Sequence, residues 1–310
     1  MRGELTRGKL AVALAAGAVA FGAAAWLLLG PAWFIAGVLA GLLVGAFVLA
    51  GIYTPATTDA AAPLGHDRPG GAIAQLYHEM SNWRVLARIW PGQFRDALAN
   101  RLIIQSGALQ AVHRDEEALR TAGEAVAIYQ DLAAERPGKY GPDLAGALDH
   151  QARLLAADGG QADALAAMAV AVRLYRNLAA AEPAKYQPVL ANCLTCEAVW
   201  LAEIDLPGDA LAAVHEATDI CQDKLPWPQV PSSAARAMLL EGELLCGQAR
   251  YREAARLLAR GWRLAAGQHL AGAERNARPA IRAAYRADPD HFSAVWRAET
   301  GTEPPDWLGT

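Results

Sequence analysis

Seven residues recur unchanged at an offset of 46. Tyr129, Leu132, Pro137, Tyr140, Pro142, Leu144 and Leu148 return as Tyr175, Leu178, Pro183, Tyr186, Pro188, Leu190 and Leu194. One offset earlier, Trp83, Leu86, Pro91, Phe94, Asp96, Leu98 and Leu102 form a degenerate copy that keeps an aromatic residue in two places. Ala118 maps onto Ala164 and Ala210; the register then shortens by two, and Ala254 takes the place. A period of about 20–50 residues marks a stacked array in which each unit buries its faces only against its neighbours.

Each unit reads as two helices. In 143–158 the apolar positions Leu144, Leu148, Ala152 and Leu155 follow helical spacing, and Gly159-Gly160 breaks the run. The second helix carries Ala164, Leu165, Met168, Val172, Tyr175 and Leu178, and Pro183 ends it. Between units, the segment PAKYQP reads as a loop that holds a Tyr between two prolines, a plug over the helix-pair junction. Nothing in 72–299 alternates as a strand does.

The stretch ALDHQARLLAADGGQADAL (147–165) resembles the tetratricopeptide repeat (TPR). Looser copies are NCLTCEAVWLAEIDLPGDAL (192–211) and LLEGELLCGQARYREAARLL (239–258), the last with the family's Tyr-x-x-Ala element at Tyr251 and Ala254. The long unit with its Glu-Pro-x-x-Tyr-x-Pro joints is similar to repeats of actinobacterial members, and residues 278–308 resemble the closing segment of such arrays. The resemblance covers about 72–308. It implies a right-handed, all-α solenoid with a C-terminal capping helix pair. Two departures stand out. Unit one has Ser106 and His113 at the small residue and glycine of its inner turn, and QDKLPWPQVP after Cys221 is short and different.

Ahead of the repeats, residues 10–53 contain no Asp, Glu, Lys or Arg. About 20 apolar residues span a bilayer, so this length fits two spans, near Leu10–Leu29 and Trp33–Tyr53, turning at Gly30-Pro31. Trp26 and Trp33 flank the turn as an interfacial pair, and Arg2, Arg7 and Lys9 place the N-terminus in the cytoplasm. The chain then returns to the same side, which predicts a multi-pass membrane protein with a cytoplasmic repeat domain. A single span with an exported domain is the alternative; a cleaved signal peptide has a far shorter apolar core. Gly37, Gly41 and Gly45 line one face of the second span. Small residues at that spacing allow close helix approach, here against the first span, with homo-dimerisation as the alternative. The expected organisation is a basic N-terminus (1–9), a transmembrane hairpin (10–53), a Pro- and Gly-rich linker (54–71), repeats (72–273) and a cap with tail (274–310).

Composition narrows the function. The net charge of −4 argues against bulk nucleic-acid binding. Arg275, Arg278, Arg282 and Arg286 read as the solvated face of the cap, with a partner-binding stripe as the alternative. No phosphate-binding glycine loop, nucleophile elbow or zinc-protease motif occurs. The seven histidines have no His or Cys partner at helical spacing. Cys193 and Cys196 form C-L-T-C without a second pair nearby, and Cys193 stands in the small column of Ala147, so packing outweighs zinc or redox chemistry. Asp288 and Asp290 flank Pro289 as helix-capping residues. The expectation is therefore no enzyme, no cofactor and no metal.

What remains is a surface. The resemblance implies that the first helix of each unit lines a concave face, at positions six and three before the small column (Ser106, Ala152, Ala198, Gly242) and one and four after it. Those positions are Asn100, Ile103, Gly107 and Gln110 in unit one, and Gly146, Asp149, Arg153 and Ala156 in unit two. In unit three they are Asn192, Thr195, Val199 and Ala202, and in unit four Arg236, Leu239, Glu243 and Cys246. Asn100, Asp149, Arg153, Asn192, Arg236 and Glu243 are the candidate polar contacts to a protein or peptide partner. The implied function is a membrane-anchored interaction scaffold. The alternatives are a regulatory or assembly subunit of a membrane enzyme complex, and an enzyme with an unrecognised Cys/His site.

Overall fold

A computed structural model describes residues 80–223 and 232–308. The hairpin at 10–53 with Gly37, Gly41 and Gly45, the basic N-terminus, the linker at 54–71 and most of QDKLPWPQVP lie outside the described residues. The chain divides into two compact units, Met1–Asn82 and Trp83–Thr310. In the second, residues 83–89 are helical and lead into ten helices. These are α1 (Pro91–Ala111), α2 (Asp115–Glu135), α3 (Pro137–Ala157), α4 (Gln161–Ala181), α5 (Pro183–Glu203), α6 (Pro207–Asp223), α7 (Ser232–Gly247), α8 (Tyr251–Gly267), α9 (Ala271–Ala287) and α10 (Pro289–Thr300). No strand occurs among the described residues.

Two kinds of joint alternate, and the sequence writes both. Where α2 meets α3 and α4 meets α5, a single residue, Arg136 or Glu182, separates the helices, and a proline follows at the first helical position. Proline confines the residue before it to extended backbone and presets its own φ for a helix. Arg136 accordingly sits at φ −142° and ψ 77°. Trp90-Pro91 and Asp288-Pro289 repeat the device.

Within a pair, the first helix closes on a residue in the left-handed region, and the N–H of the next residue returns to a carbonyl five back. Arg114 donates to Leu109, Gly160 to Leu155, Leu206 to Leu201 and Arg250 to Leu245, at 2.9–3.0 Å. The residues with positive φ at these turns are His113, Gly159, Asp205 and Ala249, one per unit, and His269 repeats the turn between α8 and α9, with Leu270 donating to Ala265. Only unit two has the glycine this geometry favours; His113 fills the same role in unit one.

The prolines inside the repeats do not make loops. PGKYGP and PAKYQP are the opening turns of α3 and α5, which begin six residues before 143 and its equivalent 189. Pro142 and Pro188 forgo an N–H bond to Gly138 and Ala184, both exposed residues in the opening turn. Tyr140 and Tyr186 are buried there, and Tyr186 lies 6.4 Å from the ring of Tyr175.

Each helix packs on the next along the array. Within the pairs Ser106, Ala152 and Ala198 are 0% exposed, with Ala118, Ala164, Ala210 and Ala254, also 0% exposed, at the start of the second helices. In unit four glycines interlock with leucines. A Cβ on Gly242 would lie 2.6 Å from Leu258 Cγ, and one on Gly261 would lie 2.9 Å from Leu239 Cγ. Among the described residues α4 alone is long and apolar enough to cross a membrane, and it packs between α3 and α5 as a helix of the array.

The C-terminal end closes differently. α10 packs more on α8 than on α9. Trp262, Trp296 and Trp307 form a chain of rings 5.8–6.0 Å apart, and Leu308 is buried beside them. Of the four cap arginines, Arg278 and Arg282 lie over the Trp307 ring at 5.2 and 5.9 Å, and Arg282 donates to the Trp307 carbonyl at 3.1 Å. Half of the stripe expected to face solvent is thus engaged by the chain's own tail.

Ala249 holds φ +59° without the glycine's freedom. A left-handed L-residue costs about 1–2 kcal/mol, part of which glycine returns through unfolded-chain entropy. Ala249→Gly is therefore expected to stabilise the array by about 0.5–1 kcal/mol, read as a higher urea midpoint. Gly159→Ala, where a Cβ meets nothing within 4 Å, should lower it by a similar amount.

Candidate partner-binding face

The first helices present two positions that stay open in all four units. One holds Asn100, Gly146, Asn192 and Arg236; the other holds Gly107, Arg153, Val199 and Glu243. Asn100 and Arg236 are exposed, and the remainder are half-buried. The column of Asp149 behaves differently. Thr195 and Leu239 are 1% and 3% exposed, because Thr195 Oγ1 donates to the Ala191 carbonyl at 2.7 Å and Leu239 fills the space at Gly261. Cys246 is buried as well, its thiol 3.6 Å from the Ala280 carbonyl. Three of the sixteen groove positions read from the sequence therefore belong to the packing.

Asp149 and Arg153 are brought together. Arg153 Nε donates to Asp149 Oδ1 at 2.9 Å, and Nη1 points at Cys196 Sγ, 3.1 Å away on α5. Burial works against the guanidinium charge, but the hydrogen bond and ion pair to Asp149 outweigh it and hold Arg153 above its ordinary value. The pair thus ties α3 to α5. Burial, reinforced by the Asp149 charge, pushes the Cys193 thiol up, and burial alone pushes Cys221 to about 11. All four cysteines are free and buried, and no group of three metal-binding side chains occurs among the described residues.

Two histidine pairs across helices escaped the sequence reading, as did the exposed ion pairs Arg84–Glu124, Arg95–Asp131, Arg176–Glu216 and Arg252–Asp288. Ser106 Oγ lies 2.6 Å from His150 Nε2, joining α1 to α3. A serine beside an imidazole is the geometry of an activated nucleophile, but Ser106 is 0% exposed and meets no substrate. Its signal was present: Ser106 is the one hydroxyl in a column of Ala and Gly, and a buried hydroxyl requires a partner. The second pair joins α6 to α7, where His215 Nδ1 lies 2.7 Å from Glu241 Oε1. Glu241 is 4% exposed, and its Oε2 has no hydrogen-bond partner.

These histidines respond to pH with opposite sign. Burial lowers His150, helped by the Arg153 charge and opposed by Asp149. Its contribution to stability is therefore lost as pH falls below about 6.5 toward the folded-state value. The hydrogen bond to Glu241 raises His215, with the Glu241 and Asp219 charges adding and burial and Arg250 opposing. Its contribution is complete below about 6.5 and lost as pH rises through the folded-state value. Urea midpoints measured from pH 5 to 8 should show His150→Gln weakening the acid-side fall and His215→Gln weakening the loss on the alkaline side.

No family model and no curated protein sequence matches the chain. Among solved structures the fold is similar to BtubC (BKLC) from P. vanneervenii, at TM-score 0.54 and 17% identity, over 77% of this chain and 94% of that one. YrrB, a TPR protein with an unusual peptide-binding site, aligns at TM-score 0.37 and 16% identity, over 66% of this chain and 92% of that one. The likeness to BtubC concerns the fold alone. The class of protein defined here is an all-helical array of stacked helix pairs.

Proposed function

We propose that this chain is a non-catalytic, membrane-anchored scaffold that holds a protein or peptide partner along its row of first helices. The observation that carries the reading is the pair of positions left open in every unit, at Asn100, Gly146, Asn192 and Arg236 and at Gly107, Arg153, Val199 and Glu243. Helical packing needs no polar side chain at an open position, yet Asn, Arg and Glu recur there. A row of this kind suits an extended or helical segment laid across several units. Asp149 contributes through Arg153, whose side chain stays 35% exposed.

The anchor in this reading is the hairpin at 10–53, supported by its uncharged length and by Arg2, Arg7 and Lys9 ahead of it. Both ends of the chain then lie in the cytoplasm, and the array raises the partner's concentration at the membrane.

Two measurements test this. Partner capture from the membrane fraction by the full chain should fall at least several-fold when Asp149, Arg153 and Asn192 are all changed to Ala; equal capture of every partner moves the interface elsewhere. A reporter active only outside the cytoplasm, fused after Thr310, should stay silent; strong activity removes the hairpin arrangement.

A further inference from the structure

We propose that Glu243 is the docking point for a lysine or arginine side chain of the incoming partner segment, an assignment that rests on reading the open first-helix face as the binding surface. Several half-buried carboxylates elsewhere in the array have a cation at hand: Asp149 has Arg153, Glu117 has Arg114, Glu299 has Arg256 and Arg260, and Glu197 feels the Arg176 charge. Even the buried Glu241 has His215. Glu243 has no hydrogen bond and no ion pair among the described residues. On its own helix the one cation, Arg236, stands seven residues back, about 10 Å along the axis, and Glu241, two residues back, is buried and paired with His215. The groups beside it are apolar or weakly polar. Leu239 and Cys246 are buried one turn to either side, and α9 meets Cys246 through the Ala280 carbonyl. From α5, α6, α8 and α9 no charged side chain influences it.

The chemistry that fits such a group is specific. An ionised carboxylate offers only acceptors, and removal from water strengthens its pairing with a cation. Burial alone pushes the Glu243 carboxyl up to about 7, so near neutrality it stands between its two forms. An arriving ammonium or guanidinium group favours the carboxylate and expels the proton. The equivalent positions do not compete: Gly107 and Val199 carry no charge, and Arg153 has its own counter-ion in Asp149. The face therefore has one uncompensated acid in this column, at α7, and it fixes where along the array a basic residue of the partner sits.

The test reads the site without the partner. The full chain, labelled at its glutamate carboxyl carbons, is titrated by NMR with n-butylguanidinium chloride or with potassium chloride at equal ionic strength; Glu243→Gln assigns the signal. The Glu243 midpoint should fall by about one pH unit with the guanidinium probe and stay in place with potassium. Glu243→Asp, which keeps the carboxyl, should keep the response if Glu243→Gln does not fold. An unmoved midpoint, or an equal fall with potassium, overturns the proposal. A midpoint that falls with the protein's own concentration assigns the cation to a second copy and overturns the assignment to a separate partner. Failure here leaves the scaffold reading intact, and failure of the capture experiment leaves this titration intact.

Discussion

The array depends on how closely the two helices of each pair approach. Ser106, Ala152 and Ala198 on the first helices, with Ala118, Ala164, Ala210 and Ala254 on the second, are small and 0% exposed, and Gly242 completes the first set. Interiors packed at this density register a single methylene, and at Gly242 even a methyl group would meet Leu258. With small residues in the same column of each unit, the same two positions of each first helix stay open. The binding face is in this sense a by-product of the small-residue column.

Joints of one residue or one tight turn then carry that geometry from pair to pair. Proline at the first helical position and a left-handed residue at the inner turn leave the chain little freedom to slip. Both signals are local, which is why the repeat, its helix pairs and the identity of its small column were legible in the sequence. The one local signal that misled was Pro142 with its counterpart Pro188. A proline in a helix ordinarily breaks it, but here the bond it removes belongs to Gly138 or Ala184 in an exposed first turn. The helix extends back to Pro137 or Pro183.

What the sequence did not disclose is the polar chemistry between helices of different units. Ser106 and His150 are 44 residues apart, Arg153 and Cys196 43, and His215 and Glu241 26. None of these separations repeats along the chain, so no periodicity exposes them. Each follows from side-chain direction once the helices are stacked. The burial of Thr195 and Leu239 has the same origin: Leu239 turns inward because Gly261 on the neighbouring helix has no side chain. Asp149 and Ile103 share their column and stay half-buried, Asp149 in an ion pair with Arg153. The candidate face was therefore readable as a set of positions, and its division into open and buried ones required the packing.

These polar contacts lie at the junctions between successive pairs, where the face can widen or narrow. In a linear array each junction contributes its own stability term, so the junctions need not respond alike. Between units one and two the contact is a buried hydroxyl against a histidine that burial keeps neutral. Between units two and three it is an ion pair braced on a thiol. Between units three and four a buried carboxylate depends on an exposed histidine for its charge balance. When that histidine loses its proton the ion pair across this junction is lost, and Glu241 Oε2 still has no hydrogen-bond partner. Glu243 stands two residues further along the same helix. The junction held by His215 and the one uncompensated acid in its column thus share α7, and loss of the His215 proton bears on the helix that presents the acid.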